Sequence, residues 1–133
     1  MSRAHALGVV ALFQLALGIA GMALAIKRRH PYHVGKMQGT ADSVVHDSLF
    51  NGTALSAPVW MLVAQAVAAG LVLADTWHGA RWVLGGLGLA MIAGYLGETH
   101  GRELLRPWGF DPLETPLLVL AILLSAAMAA LGL

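Results

Sequence analysis

Five charged or titratable side chains, Glu98, His100, Arg102, Glu103 and Arg106, fall within nine residues of an otherwise apolar chain. A carboxylate beside an imidazole is a pairing that moves protons, and arginines beside it can hold an anionic group. A second polar stretch carries His30, His33, His46, Asp47 and Asn51. Two such stretches, separated by an apolar segment, can converge on one pocket. We therefore expect Glu98, with His46 or His100, to do proton or hydrogen-bond work. Asn51, Arg29, Arg102 and Arg106 are expected to hold a ligand. Glu98 stands out because a carboxylate at mid-bilayer costs at least about 2.5 kcal/mol on insertion scales, and less near the interface. Arg102 follows one turn later, in the acid-first order that favours an i,i+4 ion pair, so the carboxylate also has a purely structural explanation.

Other chemistries find less support. His30, His33, His46 and His100, with Asp42, offer the nitrogen and oxygen donors that zinc or iron take. Yet the chain has no His-Glu-x-x-His and no paired Glu-x-x-His, so no metal site is expected. Ser56 and Ser125 lie in apolar segments without a nearby base, which argues against nucleophilic catalysis. No nucleotide loop or haem-attachment motif occurs, and the sequence names no cofactor. Cysteine is absent, which excludes disulfides and thiolate chemistry. A net charge of +1, with the basic residues dispersed, excludes the clustered cationic face that nucleic acid requires.

These residues need a scaffold, and its solvent follows from composition. The 133 residues are 58% hydrophobic and 11% charged, against roughly 25% charged in soluble domains. So little polar surface places the chain in lipid. Residues 4–26 are apolar apart from His5 and Gln14, close to the roughly 20 residues that cross a hydrocarbon core. Ala23-Leu-Ala25 resembles a signal-cleavage site, but the apolar run is long and Lys27-Arg28-Arg29 follows at once, so we read a retained span. Gln14, Gly18, Gly21 and Ala25 share one helical face suited to close packing and to hydrogen bonding across an interface.

The longest polar connection, residues 27–50, is broken by Pro31 and Gly35 and turns helical from Thr40 onward. A kink is expected at Gly52 or Pro58 before a second span over 54–74. Trp77 and Trp82 in the next short turn suit a membrane interface. A third span covers 82–97, where Gly86, Ala90 and Gly94 recur every four residues and lead to Glu98, marking the expected packing ridge. Asp111-Pro112-Leu113-Glu114 reads as a helix start, with Asp as cap and Pro at the first position. The fourth span covers 113–132. Lys27, Arg28, Arg29, Lys36, Arg102 and Arg106 lie on one side against Arg3 and Arg81 on the other, which puts the longer connections in the cytoplasm and both termini outside. Asn51-Gly-Thr53 matches a glycosylation sequon on the cytoplasmic side, where that match has no use.

This general plan, four spans with a polar first cytoplasmic connection, is similar to that of several small membrane enzyme families, including the membrane-associated eicosanoid and glutathione family. Asn51-Gly-Thr-Ala-Leu-Ser-Ala-Pro58 does not reproduce that family's Asn and Glu pattern at the start of the second helix, so no site residues are carried over. The expected fold is an all-α, antiparallel four-transmembrane-helix bundle filling residues 1–133 as one domain of a multi-pass cell-membrane protein. Its expected function is to bind or act on a lipid-like or other amphiphilic molecule at a polar pocket on the cytoplasmic face. The alternative is a non-catalytic accessory subunit that packs on a membrane-protein partner or on a second copy through small-residue faces. A small oligomeric transporter ranks third, because Gln14 and Gln65 cannot titrate within their spans.

Overall fold

The computed structural model describes residues 2–30, 33–34, 37–40, 43–53 and 55–133. Pro31, Gly35, Lys36, Asp42 and Ala54, all invoked above, lie outside the described residues. Among the described residues the chain is mostly helical, with one two-rung antiparallel pair. In order, its elements are α1 (Arg3–Arg28), β1 (His33–Val34), β2 (Met37–Gln38), α2 (Val44–Phe50), α3 (Val59–Leu73), α4 (Ala80–Gly97), α5 (Thr99–Leu104), a 3-10 turn (Pro107–Gly109) and α6 (Glu114–Gly132). Three helices, α1, α4 and α6, are long and apolar enough to cross a membrane.

α1 packs against α3 and α6, and α4 packs against the same two helices. Their directions follow from contacts at the two ends. Arg3 donates to the carbonyls of Ala130 and Leu131 at the C-terminal end of α6, whereas Arg28 pairs with Asp111 and Glu114 before and at its start. Hence α1 and α6 are antiparallel.

The α1 face read from the sequence is the buried one. Gln14, Gly18, Gly21 and Ala25 are all inside, and Gln14 does hydrogen-bond across helices. Its amide donates to the Tyr95 hydroxyl and to Ser125 Oγ, both at 3.2 Å, and its carbonyl accepts from Gln65 at 2.7 Å. Such polar links and close backbone approach are the contacts by which helices long and apolar enough to cross a membrane hold together.

Two expectations need correction. The second apolar run is helical only from Val59, because Pro58 lacks a donor and restrains the residue before it. Upstream, Thr53 and Ser56 close on each other through backbone and hydroxyl hydrogen bonds, and Gly52 caps α2 at φ +87°. The expected kink is therefore a full break. α4, over the stretch expected as a third span, begins at Ala80, and its packing ridge is not Gly86-Ala90-Gly94. Those three residues are exposed, while Gly85 and Gly88 are buried. A Cβ on Gly88 would come 2.5 Å from the Ser125 carbonyl, so this glycine is what lets α4 approach α6.

Candidate functional site

Glu98 sits at the joint between α4 and α5. Its extended backbone, φ −75° and ψ 125°, ends one helix and starts the next. The joint turns the carboxylate inward, where it is only 4% exposed. It accepts the backbone N–H of His33 in β1 at 2.6 Å. Burial pushes its pKa up to about 7, against the opposing pull of the His33 amide, the Arg102 charge and the His100 amide. No ion pair joins Glu98 to Arg102 among the described residues. The Arg102 amide still donates to the Glu98 carbonyl at 3.0 Å, but Glu98 is extended and its carboxylate is buried, so the side chains do not pair; Arg102 is exposed and acts on the carboxylate only through its charge.

The same carboxylate lines a recess of about 100 Å³ between α4 and the segment leading into α3. Met61, Met91 and Tyr95 form its apolar side, while Asn51, Thr53 and Ser56 join Glu98 on the polar side. Gly94 and Ala90 edge it on the outer face of α4. Glu98, expected to do proton or hydrogen-bond work, and Asn51, expected to hold a ligand, thus line one cavity. A wider depression at the opposite end, edged by Arg3, His78, Arg81 and Trp82, carries no carboxylate.

His100 goes elsewhere. Its Nε2 lies 2.8 Å from Glu114 Oε1, and His30 Nε2 lies 3.4 Å from the same oxygen. The two imidazoles stand 4.3 Å apart, centroid to centroid. Arg28 holds the other Glu114 oxygen, Oε2, and also pairs with Asp111 at 3.1 Å. The local chain explains each placement. Arg29, in the left-handed region at φ 55°, ends α1 with a reversal that returns the His30 amide to the Ala25 carbonyl. Asp111 caps α6 through the amides of Leu113 and Glu114, which hold its carboxyl below the usual carboxylate range. The expected cap therefore forms, but Thr115 rather than Glu114 returns to the Asp111 amide. Glu114 is thereby free to turn toward Arg28, His30 and His100.

Of the remaining candidates, His46 is exposed on α2, and Arg29 and Arg102 are exposed at the ends of α1 and α5. Arg106 stacks over Trp108 at 5.6 Å. Sequence reasoning missed Arg28 and Glu114 as partners, having counted one only toward orientation and read the other as part of a helix start. The available signal was that Asp111 alone suffices as a cap, which leaves Glu114 as a carboxylate at the mouth of an apolar run.

No family model matches this chain, and the comparisons with curated proteins and with solved structures also return no match.

Proposed function

We propose that this chain is a single-domain, multi-pass protein of the cell membrane, a bundle of four antiparallel spans with both termini outside, and that its recess takes a lipid-like amphiphile at the cytoplasmic face. Phe13, Val67, Leu89 and Leu123 turn outward from α1, α3, α4 and α6, an apolar exterior suited to acyl chains. The 15 residues of α3 reach about 22 Å, short of a hydrocarbon core of about 30 Å. The non-helical residues before it compensate. Thr53, Leu55 and Ser56 are buried against the protein, the condition under which irregular backbone is tolerated at membrane depth.

One observation carries the reading of the recess: a buried carboxylate, Glu98, faces an apolar cavity beside Asn51. The apolar wall of Met61, Met91 and Tyr95 suits a hydrocarbon portion, and Glu98 and Asn51 suit a hydroxyl, amide or ester group hydrogen-bonded to them. Arg29, Arg102 and Arg106, exposed beyond the ends of α1 and α4, then serve an anionic headgroup. A fluorescent lysophospholipid titrated into the purified protein tests this. Glu98→Gln and Asn51→Ala should each weaken binding about tenfold or more, the scale of a lost buried hydrogen bond, while membrane insertion is retained. Wild-type binding by both variants removes the recess from consideration.

A second reading has its own observation. Gly86 and Gly94 meet no atoms of their own chain where a side chain would begin, so the outer face of α4 has room for a second copy or a membrane-protein partner. Gly86→Leu should then abolish assembly and spare amphiphile binding, since Gly86 does not line the recess.

A further inference from the structure

The convergence of His30, His100 and Glu114 provides something that neither the recess nor a helix cap requires. From these residues we infer that the chain binds one divalent transition-metal ion through His30 Nε2, His100 Nε2 and Glu114 Oε1.

The donor atoms come from three places: two residues past the end of α1, the first turn of α5 and the first residue of α6. All three lie within 4.8 Å of one another. Both imidazole nitrogens aim at one carboxylate oxygen, at 2.8 Å and 3.4 Å. Metal–ligand bonds of about 2.0–2.1 Å separate neighbouring donors by about 3.0 Å at right angles and about 3.4 Å in a tetrahedron. Both nitrogen–oxygen spacings fall close to these values, and the two imidazole nitrogens, within 4.8 Å of each other, close on an ion by side-chain rotation. Glu114 is 2% exposed, so the ion would replace water with fixed ligands. Two imidazoles and one carboxylate suit zinc or iron(II) and leave coordination positions open for water or a ligand oxygen.

The second carboxylate oxygen is already held. Arg28 binds Oε2 and orients the group so that Oε1 faces the imidazoles, the supporting role that outer-shell partners play at metal sites. Charge favours the ion as well. A single guanidinium is shared between Asp111 and Glu114, and a divalent cation on Oε1 supplies the positive charge this pair of carboxylates lacks. The sequence offers no compact ligand signature because the donors are brought together only by the packing of α1, α5 and α6.

The test uses the full chain in detergent, purified without a polyhistidine tag, stripped with chelator and titrated with Co²⁺. One equivalent should bind, with visible ligand-field bands and two exchangeable imidazole N–H resonances shifted far outside the diamagnetic range, and Zn²⁺ should displace it. His30→Ala and His100→Ala should each weaken binding at least about 100-fold, more than outer-shell changes do, whereas His46→Ala and His78→Ala should leave it unchanged. Fewer than two shifted imidazole resonances in the wild-type protein would overturn the assignment, whatever the variants do to folding. So would Co²⁺ binding that survives both substitutions in folded protein.

Discussion

The Glu98 carboxylate accepts the backbone N–H of His33 at 2.6 Å, a contact across 65 residues that ties the first polar connection to the end of α4. An acceptor on a main-chain amide does not have to be charged, and burial makes charging this one costly. With its pKa near 7 instead of 4.5, the folded chain keeps a proton that the unfolded chain gives up between about pH 4.5 and 7. The stability from this group is fully present below that window and is lost as pH rises through it. Detergent-solubilised wild type should lose up to about 3 kcal/mol of stability across the window, and Glu98→Gln should flatten that part of the profile. Thermal unfolding at pH 4.5 to 8 measures the difference.

The two glycine faces of α4 should respond oppositely to one added methyl group. Gly88→Ala drives a Cβ toward the Ser125 carbonyl and should cost about 1–3 kcal/mol by overpacking. Gly86→Ala meets nothing and should gain up to about 1 kcal/mol from helix propensity. Equal effects in thermal melts of the two variants would place the α4–α6 contact elsewhere.

Orientation can be read by labelling, since the chain has no cysteine of its own. Thr76→Cys, between α3 and α4, should react with an impermeant maleimide added to intact cells. Leu105→Cys, beyond α5, should react only after permeabilisation. Both positions are exposed, so the reverse pattern would invert the proposed topology.

How far the sequence carried the structure depended on whether a feature was local. The α1 face was readable because Gln14, Gly18, Gly21 and Ala25 repeat at helical spacing and lie buried together. On α4 the same reasoning misassigned the ridge: glycines at 85, 86 and 88 support two stripes of similar composition, and only the position of α6 selects between them. The start of α3 was misplaced because hydropathy cannot register the Thr53–Ser56 closure or the break at Pro58. The Glu98–Arg102 pair failed for a related reason, since one extended residue at the α4–α5 joint keeps the i,i+4 backbone hydrogen bond but leaves the carboxylate buried and unpaired with the exposed guanidinium. Glu114 with His30 and His100 had no local signature, because its partners lie 84 and 14 residues away.

The recess itself is most directly tested by what the protein carries. Gly94 edges the cavity, and a Cβ there meets no atom of the fold within 4 Å, so Gly94→Leu should start without a backbone clash and crowd the mouth of the recess. Lipid extracts of gently purified wild type and Gly94→Leu, compared by mass spectrometry, should show one amphiphile at near-stoichiometric amount in the wild type and its loss from an equally stable variant. Only bulk lipid in the wild type, or the same bound molecule in both proteins, would contradict the recess as a binding site.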